Sequence, residues 1–74
     1  MPRLPIVSGA KAVKVFEKND WHHVRNKGDD MILTKPKIPF NLSIPNHREI
    51  DRGLLRGLIR DAGKTVDEFT KLLG

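Results

Sequence analysis

Hydrophobic and polar residues alternate with a period that changes along the chain, and each change marks a new element. Ser8 offers a capping hydroxyl ahead of a segment in which Ala12, Val13 and Phe16 recur at helical spacing until Asn19-Asp20 interrupts. A helix is predicted over about 9–18. Trp21 to Lys27 carries β-compatible residues, Lys27-Gly28-Asp29 is a turn signal, and Met31 to Lys35 follows with Met31 and Leu33 on one side. These two segments read as a hairpin. Pro36 and Pro39 bracket a connection, after which Phe40, Leu42 and Ile44 alternate with Asn41 and Ser43 in a half-buried strand that Pro45 stops.

The period then returns to that of a helix. Leu55, Leu58, Ile59 and Ala62 fall at i, i+3, i+4 and i+7, the stripe of a helix laid on a sheet, with Asp51 placed to cap its start and Gly63 to end it. Thr65-Val66-Asp67-Glu68 has the spacing of a capping box, opening a short third helix whose Phe69, Leu72 and Leu73 close the edge of the core. The predicted class is α+β, in the order α-β-β-β-α with a three-stranded antiparallel sheet and a short C-terminal helix. No internal repeat or low-complexity segment divides the chain, so residues 1–74 are read as one domain.

Composition narrows what such a domain does. Seventy-four residues leave no room for a large enclosed substrate cavity, which points to chemistry or binding at the surface. There are no cysteines, so disulfides, thiolate nucleophiles and zinc knuckles are excluded, and a reducing compartment fits. The start Met1-Pro2-Arg3-Leu4-Pro5 lacks the apolar stretch of a signal peptide, and no run is long enough for a membrane span; the expectation is a cytoplasmic protein without membrane attachment. Fourteen Lys and Arg against nine Asp and Glu give a formal charge of +5, with eight of the bases between residues 21 and 60. A polyanionic partner is favoured, whether nucleic acid or acidic protein.

Several residues then stand out. Arg52, Arg56 and Arg60 recur every four residues, about a right angle away from the apolar stripe, and form an exposed basic ridge that rises about 6 Å per step, near the spacing of phosphates along one strand. Guanidinium groups suit carboxylates equally well, so an acidic protein is the competing partner. Arg25, Lys27, Lys35 and Lys37 are expected to gather at one end of the sheet as an anion-facing rim. Trp21, between a helix and a strand, is assigned to the core rather than to a nucleobase platform. His22 and His23 are adjacent on a strand and point to opposite faces, one of them half-buried, so they do not chelate together; His47 lies in the loop before the basic helix. No His-x-x-x-His or carboxylate cluster suggests a metal centre, and no cofactor is expected.

Taken together, Leu4-Pro5, Val24-Arg25-Asn26-Lys27-Gly28-Asp29, Leu42-Ser43-Ile44-Pro45-Asn46-His47, Gly53-Leu54-Leu55-Arg56 and Leu58-Ile59-Arg60-Asp61-Ala62-Gly63, followed by Glu68-Phe69, resemble the HicA (YcfA-like) mRNA interferase toxins. The resemblance spans nearly the whole chain. It implies a double-stranded-RNA-binding-domain-like fold, cleavage of mRNA without a metal, and a HicB antitoxin that covers the active face. It also implies that a histidine after Lys-Gly-Ser/Asp carries the cleavage, whereas this chain reads Lys27-Gly28-Asp29-Asp30. Asp30 thus occupies the catalytic position. An ordinary aspartate, with a pKa of about 3.9 against about 6.5 for histidine, is the weaker base, holds no proton to donate near pH 7 and repels phosphate. The expectation is a toxin of low or absent activity, with Lys27, Lys35 and Arg56 contacting RNA phosphates, Gly28 letting the hairpin backbone approach the RNA, and His47 ordering its loop or touching the sugar. The alternatives are a non-catalytic module that grips double-stranded RNA by shape and phosphates, and a protein-interaction domain using the arginine ridge.

Overall fold

The structure, a computed structural model, describes residues 4–73; the segment Met1-Pro2-Arg3, on which the reading of the chain's start partly rests, lies outside them. The elements are α1 (Gly9–Glu17), β1 (His22–Lys27), β2 (Asp30–Thr34), β3 (Leu42–Pro45), α2 (Arg52–Asp61) and α3 (Val66–Leu73). This is the expected α-β-β-β-α order with a terminal helix.

Each boundary has a local cause. Ser8 Oγ accepts from Lys11 N at 3.1 Å and caps α1. After the helix, Asp20 takes a left-handed φ of 69°, and the backbone turns so that Trp21 N donates to Phe16 O. Asp51 Oδ2 accepts from Leu54 N at the start of α2, and Gly63 ends that helix at a φ of 76°. Thr65 and Glu68 bond reciprocally, Thr65 N to Glu68 Oε1 at 3.0 Å and Glu68 N to Thr65 Oγ1 at 3.1 Å, a complete capping box for α3.

The strands form an antiparallel sheet in the order β1-β2-β3. Met31 and Leu33 of β2, with Ile44 and Leu42 opposite them on β3, point into a core completed by Phe16, Trp21, Leu55, Ile59 and Phe69. Phe16 and Phe69 meet with ring centroids 5.5 Å apart, which joins α1 to α3. α1 lies across all three strands, whereas α2 packs on β3 and α3. Trp21 is 1% exposed, in the core as expected.

Three expectations need correction. Phe40 is not a strand residue: β2 ends at Thr34, the last pair of the β2–β3 ladder is Leu33 with Leu42, and Phe40 therefore stays in the preceding loop, 45% exposed with its ring 6.3 Å from Trp21. His22 and His23 are both exposed, because the helix layer buries the inner faces of β2 and β3 but leaves every residue of β1 open to solvent. Finally, the four cations do not share one end of the sheet. Lys27 pairs with Asp30 at the hairpin end, while His22 pairs with Thr34 at the other, so Lys35 and Lys37 leave β2 about 17 Å away along the strand.

In α2, Gly57 has no tight neighbour: a Cβ there would meet nothing within 4 Å, and its φ lies outside the left-handed region. Gly57→Ala is therefore expected to stabilise the chain by about 0.5–1 kcal/mol, through helix propensity and a less free unfolded state. A higher urea midpoint at unchanged m-value is the check.

Candidate active site

At the hairpin end of the sheet the chain reverses through Gly28-Asp29. Gly28 has a φ of 60° whereas Asp29 does not enter the left-handed region, the pattern of a II′ turn with glycine at its first central position. A Cβ at Gly28 would meet nothing within 4 Å. Backbone conformation alone accounts for this glycine, with no close approach to a ligand required.

The alternation of β2 decides which way Asp30 points. Met31 and Leu33 enter the helix-covered core, so Asp30, Ile32 and Thr34 take the opposite face. Ile32 is buried yet does not belong to the core cluster beneath the helices, as this placement requires. On the same open face, Lys27 stands opposite Asp30 and Arg25 opposite Ile32, while β3 brings Pro45 opposite Asp30 and Ser43 opposite Ile32. Asp30 is half-buried, and its Oδ2 accepts from Ser43 Oγ at 3.2 Å. Among the described residues, no cation lies within ion-pair distance of its carboxylate.

A bulge at Val24, between His23 and Arg25 in the register, puts His23 and Asn26 on one side of β1, where His23 Nε2 and Asn26 Oδ1 are 2.7 Å apart. That pair belongs to the face opposite Asp30.

Beyond β3 the chain is tied back to the same end of the molecule. Asn46 N donates to Asp29 O at 2.8 Å, Gly9 N to His47 O at 2.9 Å, and Ile50 N to Val7 O at 2.9 Å. The hairpin turn, the loop carrying His47 and the start of α1 thus form one connected rim. Of the residues singled out from sequence, the structure brings Lys27, Gly28 and Asp30 together, with the exposed His47 on a loop tethered to their turn. Lys35 lies at the far end of β2, in a turn closed by Ile38 N to Lys35 O. Arg56 is exposed on α2 between Arg52 and Arg60, as the ridge reading requires, but it belongs to the helix layer rather than to the sheet face of Asp30. Among the described residues no three His, Cys, Asp or Glu side chains gather in a manner that suits a metal ion.

The sequence model of a family described as the HicA toxin of bacterial toxin-antitoxin matches residues 9–64. This chain belongs to the HicA toxin family. It is accordingly the toxin of a toxin-antitoxin system, whose partner is an antitoxin. No curated protein matches the chain. The HicA match begins with the first residue of α1 and runs through the hairpin, β3, the tethered loop and all of α2, so the whole rim lies inside it.

Sequence reasoning did not single out Ser43 or Asn46 as parts of this HicA toxin's rim. Ser43 was legible only as a polar position on an alternating strand; its register against Asp30 is a property of the folded sheet. Asn46 acts through its backbone N–H, which leaves no mark on residue type. No helix among the described residues is long and apolar enough to cross a membrane.

Proposed function

We propose that this HicA toxin is an mRNA interferase: an RNA-cleaving, metal-independent endoribonuclease of the HicA/HicB type, with residues 1–74 forming one toxin domain. In this reading Asp30 holds the position of the family's histidine, so the chain as it stands cleaves RNA weakly or not at all. The observation that carries the reading is the placement of residue 30 on the open face of the sheet beside Lys27, clear of the packed interior. An extended polyanion reaches a side chain there without any rearrangement of the core.

The chemistry asks for little more. The 2′-hydroxyl loses its proton to a base as its oxygen bonds to phosphorus, the bond from phosphorus to the 5′-oxygen breaks, and that oxygen collects a proton. A 2′,3′-cyclic phosphate and a 5′-hydroxyl end result. Imidazole serves as base and, once protonated, as acid, while cations stabilise the crowded phosphorus. A carboxylate performs the first task poorly and the second not at all near neutral pH. Lys27 is the nearest cation on the sheet face, Lys35 and Arg56 hold more distant phosphates of the same strand, and His47 sits at the rim where a sugar would pass. A HicB-like antitoxin covers this face, in the cytoplasm.

The deciding experiment is cleavage of a long single-stranded RNA by the chain with Asp30→His beside the unaltered chain. A module that only grips double-stranded RNA shares the cations but gains no cleavage from that change. Retention of RNA supplies a second measurement. If Lys27, Lys35 and Arg56 each neutralise one phosphate, log affinity should fall against log salt with a slope of about −2 on single-stranded RNA. A slope near zero, or no retention at low salt, removes RNA as the partner.

A further inference from the structure

We infer that Ser43 is the positioning residue for side chain 30, holding whatever group stands there at the angle that scission needs. The inference rests on the reading of position 30 given above. Its evidence is geometric. Ser43 lies on β3 diagonally across from Asp30, two residues before Pro45, which is the direct cross-strand partner. Its hydroxyl donates to Asp30 Oδ2 at 3.2 Å, the sole side-chain hydrogen bond made by Asp30 among the described residues. Ser43 itself is exposed and plays no part in the core. A serine gains little from a strand position, where β-branched residues are preferred, so its value here lies in the hydroxyl.

That hydroxyl is suited to either occupant. It has one donor hydrogen and two acceptor lone pairs, so it donates to a carboxylate and accepts from an imidazole N–H. Lys27, on the opposite flank, has donors only and cannot hold an imidazole by accepting from it. With histidine at 30, acceptance of one ring N–H by Ser43 Oγ selects the tautomer and leaves the other ring nitrogen with a free lone pair to take the 2′-hydroxyl proton. When that ring is protonated, the same contact stabilises the charged form. The other charged or titratable groups on or beside this face are Lys27 and Arg25 of β1, His22 at the far end of the same strand opposite Thr34, Asp29 of the turn and His47 in the tethered loop; β3 itself contributes none.

The test uses the full chain carrying Asp30→His, into which Ser43→Thr or Ser43→Val is added. Threonine and valine are nearly isosteric and both favour a strand, so they differ in the hydroxyl alone. The threonine form should keep the kcat and pH profile of its parent on a long single-stranded RNA. The valine form should lose roughly ten- to a hundredfold in kcat at similar KM, and the acidic limb of its pH–rate profile should move to lower pH. Thermal melting of the two forms checks that both are folded. Cleavage by the Asp30→His parent with kcat and pH profile equal in the valine and threonine forms overturns the role of Ser43 and leaves the reading of position 30 intact. A parent no more active than the Asp30 chain overturns both.

Discussion

Asp30→His is expected to raise RNA cleavage by roughly 10²–10⁴-fold, the range that a well-placed general acid–base contributes. That corresponds to about 3–5 kcal/mol of transition-state stabilisation. The size of the effect follows from the site. Position 30 opens the second strand on the sheet face away from the helices, where an imidazole needs no new cavity and displaces no core residue. Its surroundings are already suited to the larger ring: Lys27 stands directly opposite on β1 and Ser43 is within hydrogen-bond reach on β3. The substitution also exchanges an acceptor-only anion, which repels phosphate, for a group able both to take and to return a proton. The measurement is the initial rate of cleavage on a long RNA at neutral pH, with both proteins at equal concentration and folded by circular dichroism. Equal rates would mean that residue 30 is not where the bond breaks.

Gly9→Ala is expected to cost about 3 kcal/mol or more, since among the described glycines this is the one where an added methyl meets backbone most closely. A Cβ at position 9 would lie 2.0 Å from Pro45 O and 3.0 Å from Pro45 C, with the Asn46 Cα at 3.1 Å. The atoms it would meet are all backbone and the Cβ is itself fixed to the main chain, so no side chain can swing away to relieve the contact. Overpacking of this kind costs about 1–3 kcal/mol, and separating the two segments also strains the hydrogen bond from Gly9 N to His47 O, worth about 1 kcal/mol more. The contact joins the start of α1 to the exit of β3, where the loop bearing His47 is tied to the hairpin turn. Loosening it should therefore disturb the rim as well as lower the urea midpoint. A loss below about 1 kcal/mol would show that α1 and the end of β3 do not meet as closely as described.

Much of this architecture was legible beforehand, for reasons that can be traced. The helices announce themselves because capping is local chemistry: Ser8, Asp51 and the Thr65/Glu68 pair each satisfy a backbone N–H within four residues of their own position. The hairpin was legible because Lys27-Gly28-Asp29 carries its own turn preference. The third strand was placed two residues too early at its start, since Phe40 continues the alternation of Leu42 and Ile44 but has no partner left on β2. Alternation describes the faces of a strand and says nothing of where its neighbour ends. The histidine expectation failed for a related reason. Exposure of β1 depends on how far the helix layer reaches across the sheet, which is a fact about tertiary packing.

The site divides along the same line. From the chain alone came the α-β-β-β-α order, the composition of the core, the HicA motif and the aspartate at position 30, because each is written in residue type and short-range spacing. Only the folded sheet decided that Asp30 faces away from the helices, that Lys27 and Lys35 stand at opposite ends, that Ser43 reaches the carboxylate, and that the loop after β3 is fastened to the hairpin. Those relations join residues of different strands and loops or link backbone atoms that carry no identity, and cross-strand register is what brings them together.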